Sequence, residues 1–129
     1  MSRVSILKQN DFNNLVTFLF TLQMSTKLYH WNTVSYARHM ATDRFMDKLN
    51  ELTDRFVETF IGKYNIKPLF PIIPITLDLI KKDNIIELYQ HSRDILKNVE
   101  KITRDTDLLA IRDDLLAYVE QTIYLFQLQ

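Results

Sequence analysis

Histidine and acidic side chains are the residues of this sequence whose types and spacing could do chemistry. The chain has three His and no Cys, which excludes thiolate metal sites and a Cys nucleophile. His30 lies in LYHWN and His39 in YARHMATD, while Asp54 and Glu58 lie in LTDRFVE. Four residues apart on a helix, Asp54 and Glu58 share one face and could share a cation. Two imidazoles and two carboxylates form a nitrogen and oxygen ligand set that suits iron, zinc or manganese.

The same residue types also have an ordinary explanation. Carboxylates on a helix usually form its solvated face, and single His residues are usually surface groups or satisfied polar groups. We interpret the third histidine, His91, with Glu87 and Asp94, as such a solvated face. Trp31, beside His30, is interpreted first as an aromatic that packs in the core or at an interface.

The spacing of His39 and Asp54 makes a prediction about assembly. They are 15 residues apart on one predicted helix, which separates them by about 22 Å along its axis. They can bind one ion only if a second copy of this helix runs antiparallel beside the first. The two-fold axis would then pass near Met46 and Asp47, and each dimer would hold two equivalent sites.

Helices must position these residues, because the helix breakers are confined to one short region. The only Gly is Gly62, and the three Pro residues are Pro68, Pro71 and Pro74. A β-sandwich would need turn residues every 8–12 or so positions. The pattern therefore predicts an all-α fold, and the length of 129 residues predicts a single domain over residues 1–129.

Apolar residues at three- and four-residue steps predict four helices. The first covers about residues 10–32, with Asn10 or Asp11 as its cap. The second covers about residues 35–61, with Gly62 as its stop. The third begins at about Leu77 or Asn84 and ends near residue 104. The fourth follows the capping run 105–107 and continues to about residue 128.

The segment YNIKPLFPIIPIT, residues 64–76, is an apolar connector that bears prolines. A long crossover of this kind lets the second and third helices run parallel. We therefore expect the connector to pack across the bundle rather than to form a solvated loop.

Charge and hydropathy exclude further classes of function. The 16 basic and 16 acidic residues give a formal net charge of zero, and no polybasic arm occurs, so we do not expect direct DNA binding. No apolar run is long enough for a membrane span. The first residues lack the layout of a signal peptide, so we expect an intracellular, cytoplasmic protein.

The stretch LYHWNTVSYARHMATDRFMDKLNELTDRFVE resembles the first two helices of the Dps-like ferritins, the mini-ferritins that form hollow shells. The family pattern has a His-Trp at the end of its first helix and a His that opens the second. An Asp follows that second His after 15 residues and a Glu after 19, and His39, Asp54 and Glu58 reproduce both intervals. The last helix is similar to the family's final helix, which is acidic early and aromatic late.

This resemblance implies a ferritin-like four-helix bundle and an iron-binding homo-oligomer. It implies that His30, His39, Asp54 and Glu58 are the ligands at which Fe(II) is oxidised by peroxide or dioxygen, for iron storage and protection from oxidative stress. The two His and the two carboxylates would come from different subunits, within an antiparallel helix dimer or a closed shell.

Other roles follow less directly from the sequence. Asp43 and Asp47 lie near the expected two-fold axis and are candidates for a second, weaker iron position, or for a solvated helix face. Family members also use a Trp near the site to intercept oxidising equivalents, a role that would fall to Trp31. The alternative function is a ferritin-like structural or interaction protein that keeps the dimer without ferroxidase activity.

Overall fold

The computed structural model describes the backbone of residues 3–69 and 84–128, and side chains from residue 8 onward. Within these ranges the chain forms α1 (Arg3–Asn32), α2 (Tyr36–Tyr64), α3 (Asn84–Lys97) and α4 (Thr106–Phe126). A short 3-10 helix, Asn98–Lys101, extends α3. No strand occurs in the described residues, so the prediction of an all-helical fold with four helices is confirmed.

The predicted start of the first helix and the predicted end of the second are wrong. The first helix already begins at Arg3, so Asn10 and Asp11 lie inside it rather than capping it. Gly62 does not stop α2, which continues to Tyr64 and is capped by Asn65 in the left-handed conformation, with φ 51° and ψ 39°. Asn tolerates this conformation, and its N–H then bonds the Ile61 carbonyl.

The third and fourth helices end earlier than predicted. Regular α-helix in α3 ends at Lys97 rather than near residue 104, because the chain tightens there into the 3-10 helix. Of its two predicted starts, Asn84 is the first described residue of α3, and Leu77 lies outside the described residues. α4 ends at Phe126, and the connector is described only as far as residue 69.

Contacts between side chains fix the directions of the helices. α1 and α2 are antiparallel, since the Phe12 and Phe60 rings stack at 3.9 Å near one end of the pair while His30 meets His39 at the other. α2 and α4 are also antiparallel, because Lys63 at the end of α2 pairs with Asp107 at 3.1 Å and Arg38 at its start donates to the Phe126 carbonyl at 3.3 Å.

α3 is antiparallel to α1 and to α4. Its Tyr89 reaches Thr26 in the second half of α1, and the chain beyond α3 lies beside Asp11 in the first half. Arg93 of α3 pairs with Glu120 of α4, whereas Arg112 reaches the far end of α3 at the Leu96 carbonyl. α2 therefore runs parallel to α3, and α1 runs parallel to α4.

One apolar core lies between the four helices, with aromatic rings along most of its length. Phe45 and Tyr89 meet edge to face at 5.3 Å, and Tyr29 stacks on Phe126 at 5.5 Å. No helix in the described ranges is long and apolar enough to cross a membrane. The largest fully buried side chains are Phe12, Leu19, Leu22, Phe45, Leu49, Phe56, Phe60, Ile85, Tyr89, Leu96, Leu108 and Leu115.

Candidate metal centre at the α1–α2 turn

A three-residue turn between α1 and α2 brings His30 beside His39. The Thr33 N–H still bonds the Tyr29 carbonyl at 2.8 Å, which completes α1. Ser35 then caps α2, because its hydroxyl accepts the Arg38 N–H at 3.2 Å. The chain reverses within one helical turn, so the last turn of α1 lies against the first turn of α2.

The two imidazoles form a tight stacked pair. Their ring centroids are 3.8 Å apart and their planes differ by 18°. Each Nδ1 bonds the backbone carbonyl of the other residue: His30 Nδ1 to the His39 oxygen at 2.9 Å, and His39 Nδ1 to the His30 oxygen at 2.9 Å. His30 is buried, with 8% of its surface exposed, and His39 is partly exposed.

This reciprocal bonding assigns the protons of both rings. A carbonyl oxygen only accepts hydrogen bonds, so each Nδ1 must carry its hydrogen and donate. In the neutral form each Nε2 then has an available lone pair, and neither Nε2 has a hydrogen-bond partner among the described residues. A histidine whose Nδ1–H is held by a carbonyl is the usual arrangement of a metal-ligating imidazole.

The predicted carboxylate ligands lie elsewhere on the same chain. Asp54 and Glu58 are exposed on the outer face of α2, one turn apart as predicted. α2 is a continuous helix of 29 residues, so Asp54 stands about 22 Å from His39 along the axis. Within the described part of one chain, no group of three or more His, Asp or Glu could hold a metal ion.

Asp43 and Asp47 line a surface groove between α1 and α2. Both side chains are exposed, and neither forms an ion pair within the described ranges. The groove has a volume of about 290 Å³ and is also lined by Gln23, Lys27, Met46 and Asn50. The two acidic residues therefore share one polar groove that faces away from the core.

Trp31 is not a core residue, because 65% of its surface is exposed. Its ring contacts Lys27, whose Nζ lies 5.4 Å from the ring centroid. The interpretation that Trp31 packs in the core is therefore wrong. Its packing at an interface between chains stays a prediction. His91 is exposed as expected, with the Phe18 ring at 6.0 Å.

Two residues at this end of the bundle were missed by the sequence reasoning. Thr42 is fully buried and its hydroxyl lies 3.0 Å from His30 Nδ1. Arg38 donates to the Tyr29 hydroxyl at 2.9 Å and to the Phe126 carbonyl at 3.3 Å. The only sequence signal was their spacing, since Arg38 and Thr42 are four residues apart and flank His39.

At the opposite end of the bundle, the pKa values of Tyr64 and Lys63 are raised. Burial and a hydrogen bond to Asp105 raise the pKa of Tyr64, whose hydroxyl contacts Asp105 and Thr103. A hydrogen bond to Asp107 raises the pKa of Lys63. This network joins the end of α2 to the start of α4, so its role is structural.

One of the comparisons with known proteins identifies a family. Residues 30–126 match a family model described as a Family of unknown function (DUF5856). The match includes His30, His39, Asp54 and Glu58 together with α2, α3 and α4. No curated protein and no solved structure gives a significant match. Since the matched stretch is more than half of the chain, the protein belongs to the DUF5856 family.

Proposed function

We propose that this protein is an iron-oxidising mini-ferritin that works as a homo-oligomer. His30 and His39 of one chain, with the Asp54 and Glu58 positions of a second chain, bind Fe(II) at an intersubunit site. Peroxide or dioxygen is the oxidant. Zinc and manganese fit the same ligand set and are alternative ions.

The observation that carries the proposal is the stacked histidine pair. Both Nδ1–H groups are fixed by backbone carbonyls, so both lone pairs are set on Nε2 before any ion arrives. A pair of ordinary surface histidines would not be expected to have each ring held by the other's backbone.

The helix directions support a ferritin-like bundle. α2 runs parallel to α3, so the end of α2 and the first described residue of α3, Asn84, lie at opposite ends of the bundle. A long connection at this point is characteristic of ferritin-like folds. Sequence resemblance and topology therefore support the same architecture independently.

The outer face of α2 supports the antiparallel dimer. A two-fold axis near Met46 and Asp47 would place His39 opposite the Asp54 position of the second chain and Tyr36 opposite its Val57 position. Tyr36 is 77% exposed, so an apolar ring would lie at each end of the contact. Its centre would be acidic, which a bound cation would neutralise.

The ring geometry favours one ion per imidazole. A metal ion lies close to the plane of the ring that binds it, about 2.0–2.1 Å from the nitrogen. Because the rings are nearly parallel and 3.8 Å apart, the lone pairs of His30 and His39 do not converge on one point. Each site would therefore hold two Fe(II) ions, and a carboxylate such as Glu58 would bridge them.

Two ions per site match the electrons that the oxidants take up. Each Fe(II) loses one electron and becomes Fe(III). Hydrogen peroxide accepts two electrons and two protons, its O–O bond breaks, and two waters form. Dioxygen accepts the same two electrons and two protons and becomes hydrogen peroxide.

The test is iron oxidation by mixed variants. His39→Ala alone and Glu58→Ala alone should each lose both sites of the dimer. A heterodimer of the two keeps one intact site, since one of its chains has an unchanged His39 and the other an unchanged Glu58. After equal mixing with subunit exchange, about a quarter of the wild-type sites should return.

Fe(II) oxidation is followed by absorbance, and light scattering gives the size of the assembly. Asp94→Ala, an exposed carboxylate of α3, is the control and should leave the rate unchanged. Oxidation by wild type no faster than in buffer, with an intact oligomer, would overturn the ferroxidase function. Restored activity above that of either variant is required for the intersubunit site.

One observation favours the structural alternative. The reciprocal bonds of His30 and His39 also close the α1–α2 turn and satisfy a carbonyl at the end of α1. If this histidine pair served only to hold α1 against α2, the protein would bind no ion. Chelators would then leave the stability of the dimer unchanged. Metal content after purification without chelators separates the two functions.

A further inference from the structure

Thr42 occupies an unusual position beside the histidine pair. It lies on α2 with none of its surface exposed, three residues after His39. Its hydroxyl is within hydrogen-bond distance of three groups: the Arg38 carbonyl at 2.8 Å, the His39 carbonyl at 3.0 Å and His30 Nδ1 at 3.0 Å.

The number of hydrogens decides the direction of these bonds. A hydroxyl has one hydrogen to donate and two lone pairs with which to accept. The two carbonyls cannot donate, so the hydroxyl hydrogen points to them. The contact with His30 must therefore run from the imidazole Nδ1–H to the Thr42 oxygen.

We propose that Thr42 is a positioning residue that acts together with the His39 carbonyl to set the tautomer and the rotation of the His30 ring. Two acceptors, the His39 carbonyl and the Thr42 hydroxyl, bracket the Nδ1–H of His30. A flipped ring would place a carbon against both oxygens and would lose both bonds. Thr42 and the His39 carbonyl therefore together keep the His30 lone pair on Nε2, where an ion would be bound.

Thr122 is a buried threonine with a purely structural role. The Thr122 hydroxyl, on α4, bonds the Tyr118 carbonyl at 2.8 Å, the same bond to the residue four positions earlier. Thr122 is also buried, with 3% exposed, but no imidazole contacts it in the described residues. Thr122→Val is therefore a matched control for Thr42→Val.

The first measurement needs no metal. Long-range ¹⁵N–¹H NMR spectra of the metal-free full chain report which imidazole nitrogen carries the proton, with His39→Gln and His91→Gln used to assign the signals. We expect a single Nδ1–H tautomer for His30 in wild type, in Thr42→Ser and in Thr122→Val. Thr42→Val leaves the His39 carbonyl as the single acceptor, so the Nε2–H tautomer should appear beside the Nδ1–H form.

The second measurement is Co(II) binding, followed by visible absorbance. Thr42→Val should weaken Co(II) binding about 10- to 100-fold, whereas Thr42→Ser and Thr122→Val should stay within about twofold of wild type. Thr42→Ala is the substitute if Thr42→Val does not fold, as judged by circular dichroism.

The role of Thr42 in metal binding rests on the proposed function, but the two can fail separately. An unchanged His30 tautomer in Thr42→Val would overturn the assignment of Thr42, whatever the metal data. The other outcome is that wild type binds no Co(II) while Thr42→Val still shows the tautomer shift. This result would overturn the proposed function and keep the assignment of Thr42.

Discussion

The Tyr89 hydroxyl lies 2.9 Å from the Thr26 hydroxyl, and both side chains are completely buried. This bond joins α3 to α1 in the interior of the bundle. Burial raises the pKa of Tyr89 well above its ordinary value, although the hydrogen bond with Thr26 partly opposes the shift.

Tyr89 should make the protein sensitive to alkali. Above pH of about 10 the unfolded chain loses the Tyr89 proton while the folded chain keeps it, so the free energy of unfolding falls as pH rises. Tyr89→Phe should reduce this fall and cost about 1 kcal/mol at neutral pH through the lost hydrogen bond. Urea unfolding at pH 7 and pH 11 measures both effects. An equal fall in the free energy of unfolding between pH 7 and pH 11 in the two proteins would contradict the prediction.

Arg112 should be a major contributor to stability, since only 6% of its surface is exposed. Its guanidinium donates to the Leu96 and Lys97 carbonyls at 3.1 and 3.3 Å and to Glu100 at 3.2 Å. Arg112→Ala leaves the carbonyls at the end of α3 without their donor and should cost about 2–4 kcal/mol. Glu100→Ala removes only an exposed acceptor and should cost less than about 1 kcal/mol. Thermal unfolding of the two variants gives the comparison.

Gly62 is a position where the protein can be stabilised. It lies inside α2, and an added Cβ would meet nothing within 4 Å. Gly62→Ala should therefore raise the free energy of unfolding by about 0.5–1 kcal/mol. Asn65→Ala, at the left-handed cap, should lower the free energy of unfolding by about 1 kcal/mol. A destabilised Gly62→Ala protein would mean that the helix ends before this residue.

Asp47 offers a direct test of the antiparallel contact between two copies of α2. The chain has no Cys, so a single introduced thiol gives an unambiguous cross-link. Asp47→Cys, next to the expected two-fold axis, should form a disulfide-linked dimer rapidly under mild oxidation. Gln90→Cys, at an exposed position of α3, should remain largely monomeric on a non-reducing gel. Equal cross-linking of both variants would argue against this dimer.

Helix content was predictable from the sequence because apolar residues recur at helical steps and the breakers are confined to residues 62–74. Helix ends were predicted less well, since Asn10, Asp11 and Gly62 have capping or breaking chemistry that tertiary packing overrides. Asn65, the actual cap of α2, is conspicuous only once its backbone conformation is known.

The candidate site was predictable only as a set of ligand types. Spacing placed His30 and His39 on successive helices and excluded that His39 and Asp54 of one chain bind the same ion. The stacking of the rings, their reciprocal bonds and the hydroxyl of Thr42 depend on the angle at which α1 meets α2. That angle is set by packing between distant residues such as Phe12 and Phe60, and no local pattern encodes it.

The unbroken length of α2 has a consequence for how activity would depend on the amount of protein. In the proposed site, α2 carries His39 near one end and Asp54 and Glu58 in its second half, so a single chain would hold half of each of two sites and never a whole one. At concentrations below the dissociation constant of the dimer, the number of complete sites rises with the square of the chain concentration. Doubling the chain concentration would then quadruple the rate of iron oxidation, so the expression level itself would control the activity.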